Sequence, residues 1–450
     1  MAAIVESLPL DGIEKVYYYP NINVFSHDRK PEYEEASNGD FRDVLWRLYL
    51  FMRKTMMLNR SRDSLYSLVI EPYKTCNIAC KYCYAYAGPV KSNHVNSADV
   101  KRLAEEYDLR ATSIFGGDPL VHKDLLLSYY AAHGWETLWF STNGALLNAD
   151  IIDKLLDKKG VTFQISLEPS EWAKRVDING TPQLALLRDK LALLKRLKNF
   201  SFRIIIPSDV PYVPLKPFID YLIEAVGHSD FTISYWSEYI KSGHVVGWYD
   251  RWVEESYRMM KDDPKRYLNK GVGYKISDVV DIIKNKTFHY FNCNAAMDEI
   301  AYGFDGKLHA CHENAVNERQ YDVISCDADP LKVDQEKKEK IAYAWSNNKN
   351  AEICRNCPMR YMCGSCFIRN APTSACSFLV KTQQLAITNY LAEDPKKADE
   401  LVRLSAERFE SLSQRKEELK KKLSDPEIMD FIDNKSTLDK AFEIAANYKI

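Results

Sequence analysis

Between positions 65 and 236 the chain alternates short apolar runs with amphipathic stretches, and this alternation constrains the fold more than any other feature. The strand-like runs are Leu68–Ile70, Thr112–Phe115, Thr137–Phe140, Val161–Leu167, Phe202–Ile206 and Phe231–Trp236, with helical stretches near 97–108, 121–132, 146–157, 184–198 and 214–226. Parallel strands need long crossover connections, usually helical. Six alternations therefore predict an α/β fold: a parallel sheet with helices on its outside, either a partial barrel or a doubly wound sheet.

The informative polar and glycine residues follow directly after predicted strands. Cys76 comes after the first, Gly116-Gly117-Asp118 after the second, and Thr142-Asn143-Gly144 after the third. In α/β barrels the loops at the carboxyl ends of the strands carry the chemistry. The rest of the chain divides around this region. Residues 1–64 read as an N-terminal extension with an aromatic patch (Tyr17, Tyr18, Tyr19) and an amphipathic stretch, Phe41 to Met57. Residues 65–236 form the barrel, 237–292 a helical bridge, 293–380 a cysteine-rich domain, and 381–450 a charged helical tail.

Composition excludes several classes. An apolar fraction of 46% over 450 residues rules out a disordered chain, and 61 basic against 63 acidic residues leave a net charge of −2. A near-neutral chain offers no broad electrostatic footprint for nucleic acid or an anionic membrane. Met1 to Leu10 lack a basic segment followed by an apolar run, and Leu45 to Met57 are interrupted by Arg47, Arg53 and Lys54. The expectation is a soluble, cytoplasmic protein. The 11 cysteines are clustered: Cys76, Cys80 and Cys83 in one group and five more between 354 and 376. Clustered thiols without an export signal indicate metal rather than disulfides.

The segment Cys76-Asn-Ile-Ala-Cys80-Lys-Tyr-Cys83 follows a predicted strand with C-x-x-x-C-x-x-C spacing. Three thiolates on a short loop can hold three irons of a four-iron cluster and leave the fourth open. This loop, with Tyr82 before its last cysteine, resembles the signature of the radical S-adenosylmethionine (radical SAM) enzymes. Gly116-Gly117-Asp118-Pro119 resembles that family's Gly-Gly-Glu-Pro stretch, which meets the methionine amino group, with Asp118 in place of the more usual Glu. Ser141 and Asn143 after the third strand, and Ser166 and Glu168 at the fourth, stand where the family places SAM contacts. The resemblance implies a partial (β/α)6 TIM-like barrel, a SAM-binding [4Fe-4S] cluster, and a 5′-deoxyadenosyl radical that abstracts hydrogen.

A second series resembles the family's SPASM extension: Cys293, Cys311, Cys354, Cys357, Cys363, Cys366 and Cys376. The resemblance implies two auxiliary clusters, a distal one on Cys354, Cys357, Cys363 and Cys376 and a proximal one on Cys293, Cys311 and Cys366. The series departs from the family in separating Cys363 from Cys366 by two residues instead of three. Cys326 is either a fourth proximal ligand or an incidental thiol. The cysteine pairs by themselves suit tetrahedral zinc equally well, which would make the chain a zinc-stapled binding protein; the first motif favours iron–sulfur. Candidates for a proton acceptor are His312, Glu313 and Tyr235, with His309 and Glu238 nearby in sequence. His312 stands where sulfatase-maturing relatives tend to carry Asp, which weighs against formylglycine formation. The implied substrate is a peptide or protein, with oxidation of a small molecule as the alternative, and the implied electron donor is a flavodoxin- or ferredoxin-type protein.

Overall fold

The structure, a computed structural model, describes residues 16–19, 21–83, 85–90, 93–156, 160–197, 199–206, 210–237, 249–267, 293–316, 322–346, 354–355, 357, 361 and 395–447. The chain divides into two compact units. One comprises 1–59, 239–293 and 343–450, and the other 60–238 and 294–342.

In the first unit, β1 (Tyr17–Tyr19) and β2 (Val24–Ser26) form an antiparallel hairpin in which Tyr18 stacks on Phe25 at 4.6 Å. Helix α1 (Pro31–Asn38) follows, and then α2 (Asp40–Arg62), whose 23 residues carry acidic groups in the first turn and basic ones in the last, each complementing the helix dipole. The helix at 395–414 packs on β2, where Ser405 Oγ accepts from Phe25 N at 2.9 Å. Lys54 of α2 is buried. Its Nζ donates to Phe431 O and to Asn434 Oδ1 (2.8 Å) at the end of the helix at 426–432, and it lies 4.9 Å from the rings of both Tyr343 and Phe431.

The second unit holds the barrel sheet. After β3 (Ser67–Glu71) and a short β4 (Ile78–Cys80) come α3 (Ser97–Glu106), β5 (Ala111–Ile114), α4 (Lys123–Ala131), β6 (Thr137–Thr142), α5 (Ala149–Leu156) and β7 (Val161–Leu167). Then come β8 (Arg175–Asp177), α6 (Gln183–Leu187), a 3-10 helix at Arg188–Arg196, β9 (Phe200–Ile206), α7 (Leu215–Val226) and β10 (Thr232–Ser237). Strands β3, β5, β6, β7, β9 and β10 are neighbours in that order and all pair in parallel, as the alternation predicts. The α/β architecture is therefore a parallel sheet with helical crossovers.

Strand periodicity sorts the side chains. Ile70, Ile114, Phe140 and Phe163 are matched across four strands and fully buried. The opposite face carries Val69, Ser113, Trp139 and, further along, Gln164, Ser166 and Arg203. The single helix expected over 184–198 is a short α-helix followed by 3-10 winding. Three residues per turn keep Leu191, Leu194 and Leu197 on one buried face, so the tighter helix fits a leucine every third position.

Residues 294–342, read from sequence as part of a separate cysteine-rich segment, lie in the barrel unit. There β11 (Glu299–Gly303) pairs in parallel with β3, and β12 (Leu308–His309) closes the edge antiparallel to β11. The helix at 312–316 follows, and its Ala315 packs with Phe115 against Val69 and Ala301. Among the described residues no helix is long and apolar enough to cross a membrane.

Candidate SAM and cluster site

The loop from Pro72 to Gly88 is closed by backbone hydrogen bonds. Cys76 N donates to Gly88 O at 2.7 Å, Gly88 N to Lys74 O at 3.1 Å, and Cys83 N to Cys80 O at 3.1 Å. Ala87 N points at Cys83 Sγ, 3.4 Å away. Two long-range ladders then pin this loop. Along one side the glycine stretch zips onto it, with Gly117 N donating to Tyr73 O (2.8 Å) and Asp118 N to Thr75 O (3.0 Å). The approach is so close that a Cβ on Gly117 would sit 1.9 Å from Thr75 O, while Gly116 adopts φ +87° with Tyr73 O 2.7 Å from its would-be Cβ. The glycine pair is thus required by the cysteine loop itself. Along the other side β4 pairs with β8, placing Cys80 opposite Arg175 and Ile78 opposite Asp177.

Around these ladders the buried polar groups form two networks. In the first, the Asp118 carboxylate accepts from Leu120 N (2.9 Å), Thr142 Oγ1 (3.0 and 2.9 Å) and Asn143 N (2.6 Å). Tyr73 Oη donates to the Asp118 carbonyl at 3.2 Å. The side chain expected to face an ammonium is turned into the protein and joins the ends of β5 and β6; burial raises its pKa against the pull of those hydrogen bonds. Asn143 carries the network onward, donating to Asn77 Oδ1 at 2.8 Å and lying 3.6 Å from Cys76 Sγ. Pro119 is buried behind the turn.

In the second network, Glu168 accepts from Arg175 N (2.6 Å), Lys174 N (2.7 Å) and Tyr82 Oη (3.0 Å). Arg175 Nη1 donates to Tyr82 Oη at 3.3 Å. Burial raises the Glu168 carboxyl, with the Arg175 charge opposing it. The thiols respond to the same forces. Burial pushes Cys76 up to about 12, with the Asp118 charge adding to it, and Cys80 up to about 11, with the Arg175 guanidinium opposing. Both are protonated near neutrality unless a metal displaces the proton. Ser141 Oγ and Ser166 Oγ lie 3.4 Å apart on adjacent strands.

This donor set fits a four-iron cluster. Three thiols sit on one closed loop, and a buried cation beside Cys80 offsets thiolate charge. A cubic cluster takes each thiolate on a different iron, so three thiols spaced along one loop suit it. Sequence reasoning missed Arg175 and Gln183, and nothing local marks them apart from the Asp177-x-x-Gly180 turn that returns the chain after β8.

The other expected residues are more scattered. Cys311 is buried and Cys326 half-buried, both in the barrel unit; Cys293, Cys354 and Cys357 belong to the other unit. Cys363, Cys366, Cys376 and Glu238 lie outside the described residues. Cys311 lies between β12 and the helix at 312–316, and Cys326 stands beside the short bridge of Ser325 with Val333. His312 stacks on Phe115 at 4.9 Å, and Trp139 meets the same phenylalanine edge-on at 4.9 Å. Glu313 lies in the first turn of the helix at 312–316, and Tyr235 pairs with Ile204 in the sheet. His309 is buried, with Nε2 3.1 Å from both carboxylate oxygens of Asp305.

Comparison with known proteins agrees with this geometry. Residues 70–220 match the family described as the radical SAM superfamily. The probable GTP 3′,8-cyclase of Methanopyrus kandleri is 32% identical over 94 residues, which cover 20% of this chain and 31% of that protein. The mycofactocin maturase MftC of Mycolicibacterium smegmatis is 29% identical over 121 residues, covering 26% of this chain and 31% of that protein. The chain thus spans about a third of the length of these curated relatives. A solved structure described as native anSMEcpe with bound AdoMet superposes with a TM-score of 0.52 at 14% identity, over 76% of this chain and 99% of that one, a likeness of fold. The cysteine loop and both of its ladders lie within residues 70–220, the part of the chain that matches the radical SAM superfamily.

Proposed function

We propose that this radical SAM enzyme abstracts a hydrogen atom from a peptide or protein substrate and so installs a post-translational modification, such as a thioether or carbon–carbon crosslink. The observation that carries the radical chemistry is the closed loop of Cys76, Cys80 and Cys83, laddered to the glycine stretch on one side and to Arg175 on the other. Cys76, Cys80 and Cys83 would hold a four-iron cluster, which when bound would supply the electron for reductive cleavage of SAM. The protein's part is to hold the pieces. Tyr82, Glu168 and Arg175 fix the outer side of the loop, and Asp118, Thr142 and Asn143 fix its inner side. Ser141 and Ser166 line adjacent strands at the same end of the sheet. Among the proton acceptors, His312 is the one stacked on Phe115, next to Gly116.

Support for a macromolecular substrate comes from a relative that is a maturase by name and from the later cysteine series, whose resemblance to SPASM implies two auxiliary clusters. A flavodoxin- or ferredoxin-type protein is the proposed electron donor. A second reading, radical chemistry on a small molecule, is favoured by the relative named as a GTP cyclase. Replacing Cys76, Cys80 and Cys83 together with Ala is expected to abolish 5′-deoxyadenosine release under dithionite while auxiliary iron is retained. Wild-type protein reconstituted without oxygen should then hold about twelve irons per chain. Release of 5′-deoxyadenosine by the triple variant, or an iron content near four with zinc making up the remainder, would overturn the respective halves of this proposal.

A further inference from the structure

Strands β6 and β7 pair in register only as far as Thr142 opposite Ile165. The next residues, Asn143 and Ser166, would form the following rung, yet β6 has by then turned away while β7 continues beside β9 through Leu167. Two backbone carbonyls are therefore left at the point where the sheet opens. Gln183 meets both. Its Nε2 donates to Asn143 O and, at 2.5 Å, to Ser166 O. An amide nitrogen has two hydrogens, one for each carbonyl. The side chain is 1% exposed, and its Oε1 is buried with no hydrogen-bond partner among the described residues. Leaving that acceptor unsatisfied is costly, so the position is held for its donors and not for general packing. The same short segment closes on the loop a second time, where Lys190 Nζ donates to Ala145 O.

We infer that Gln183 is a positioning residue of the SAM site. It replaces the missing rung and sets the spacing between the strand ends that carry Ser141, Asn143 and Ser166. Through Asn143, which reaches Asn77 and Cys76, it ties that spacing to the cysteine loop. Met at this position keeps the volume but offers no donor. Asn keeps the amide but is one methylene too short to reach both carbonyls.

The inference rests on the radical SAM reading, and its test separates the two. Cluster-loaded wild type, Gln183→Met and Gln183→Asn are compared by equilibrium dialysis against SAM, by iron content, by melting temperature, and by the change in the reduced-cluster electron paramagnetic resonance spectrum on adding SAM. Both variants should keep their iron and melt close to wild type. Both should bind SAM about fivefold more weakly, the effect of losing about one hydrogen bond's worth of alignment, and the SAM-induced spectral change should be altered. Unchanged SAM affinity and spectra in both variants, or a loss that merely tracks missing iron or lowered melting temperature, overturns the role of Gln183. Failure of the wild-type protein itself to bind SAM overturns instead the reading on which the inference rests.

Discussion

Replacing Gly117 with Ala should disable the cysteine loop from the outside. The new Cβ would lie 1.9 Å from Thr75 O and 2.5 Å from Thr75 C. Ordinary contact begins at 3.4 Å, so the backbone just before Cys76 must withdraw by about 1.5 Å, the difference between those two distances. No side chain can rotate to relieve the clash, because the atoms struck are backbone. The same Thr75 oxygen accepts from Asp118 N, so that hydrogen bond is lost as the loop retreats. Overpacking of about 1–3 kcal/mol and one hydrogen bond of about 1 kcal/mol together cost roughly 2–4 kcal/mol. The chemical consequence is larger than the loss of stability, because a displacement near 1 Å at reacting groups can cost about a hundredfold in rate. Gly88→Ala is the control: it lies in the same loop, its backbone bonds Cys76 and Lys74, and a Cβ there meets nothing within 4 Å. The assays are urea unfolding, iron per chain and 5′-deoxyadenosine formation under dithionite, all without oxygen. Gly117→Ala should unfold earlier and lose at least about a hundredfold in rate, while Gly88→Ala stays within about 0.5 kcal/mol of wild type. Equal behaviour of the two variants would refute the argument from backbone contact.

Two further outcomes follow from other parts of the structure. Cys326 is held in a short turn of its own, where its N donates to Lys332 O at 2.8 Å beside the Ser325–Val333 bridge, so Cys326→Ala should keep the full iron content and resonance spectrum; loss of about four irons would restore Cys326 as a ligand. Burial lowers Lys54 to about 7 in the fold, against an ordinary value near 10.5 in the unfolded chain. Between those values the unfolded state holds the extra proton, so this residue makes stability rise with pH from about 7 to about 10.5 and contributes no slope below 7. Lys54→Met should therefore flatten the stability–pH profile across that window by up to about 1.4 kcal/mol per pH unit, and an unchanged slope in urea unfolding would show that Lys54 stays charged.

The sequence by itself determined the six-strand parallel sheet and the clustering of Cys76, Cys80 and Cys83 on one loop, because both are local signals. A strand announces itself in its own alternation, and Cys76, Cys80 and Cys83 lie within one loop. It also marked Gly116 and Gly117, although the reason it suggested, approach to a ligand, is joined in the structure by a backbone contact with Thr75. The role of Asp118 was decided by tertiary structure, since its carboxylate is consumed by Thr142 and Asn143 from the next strand. The placement of Arg175 and Gln183 was likewise invisible. Each is an ordinary residue until β8 pairs with β4 and α6 reaches back to the open end of the sheet. The same holds for β11, which joins the barrel by pairing with β3 from far along the chain. Period and spacing report what a residue does to its sequence neighbours. Which distant backbone comes to rest beside it is set by the packing of the whole sheet, and at this site that packing holds the cysteine loop between the glycine stretch and Arg175.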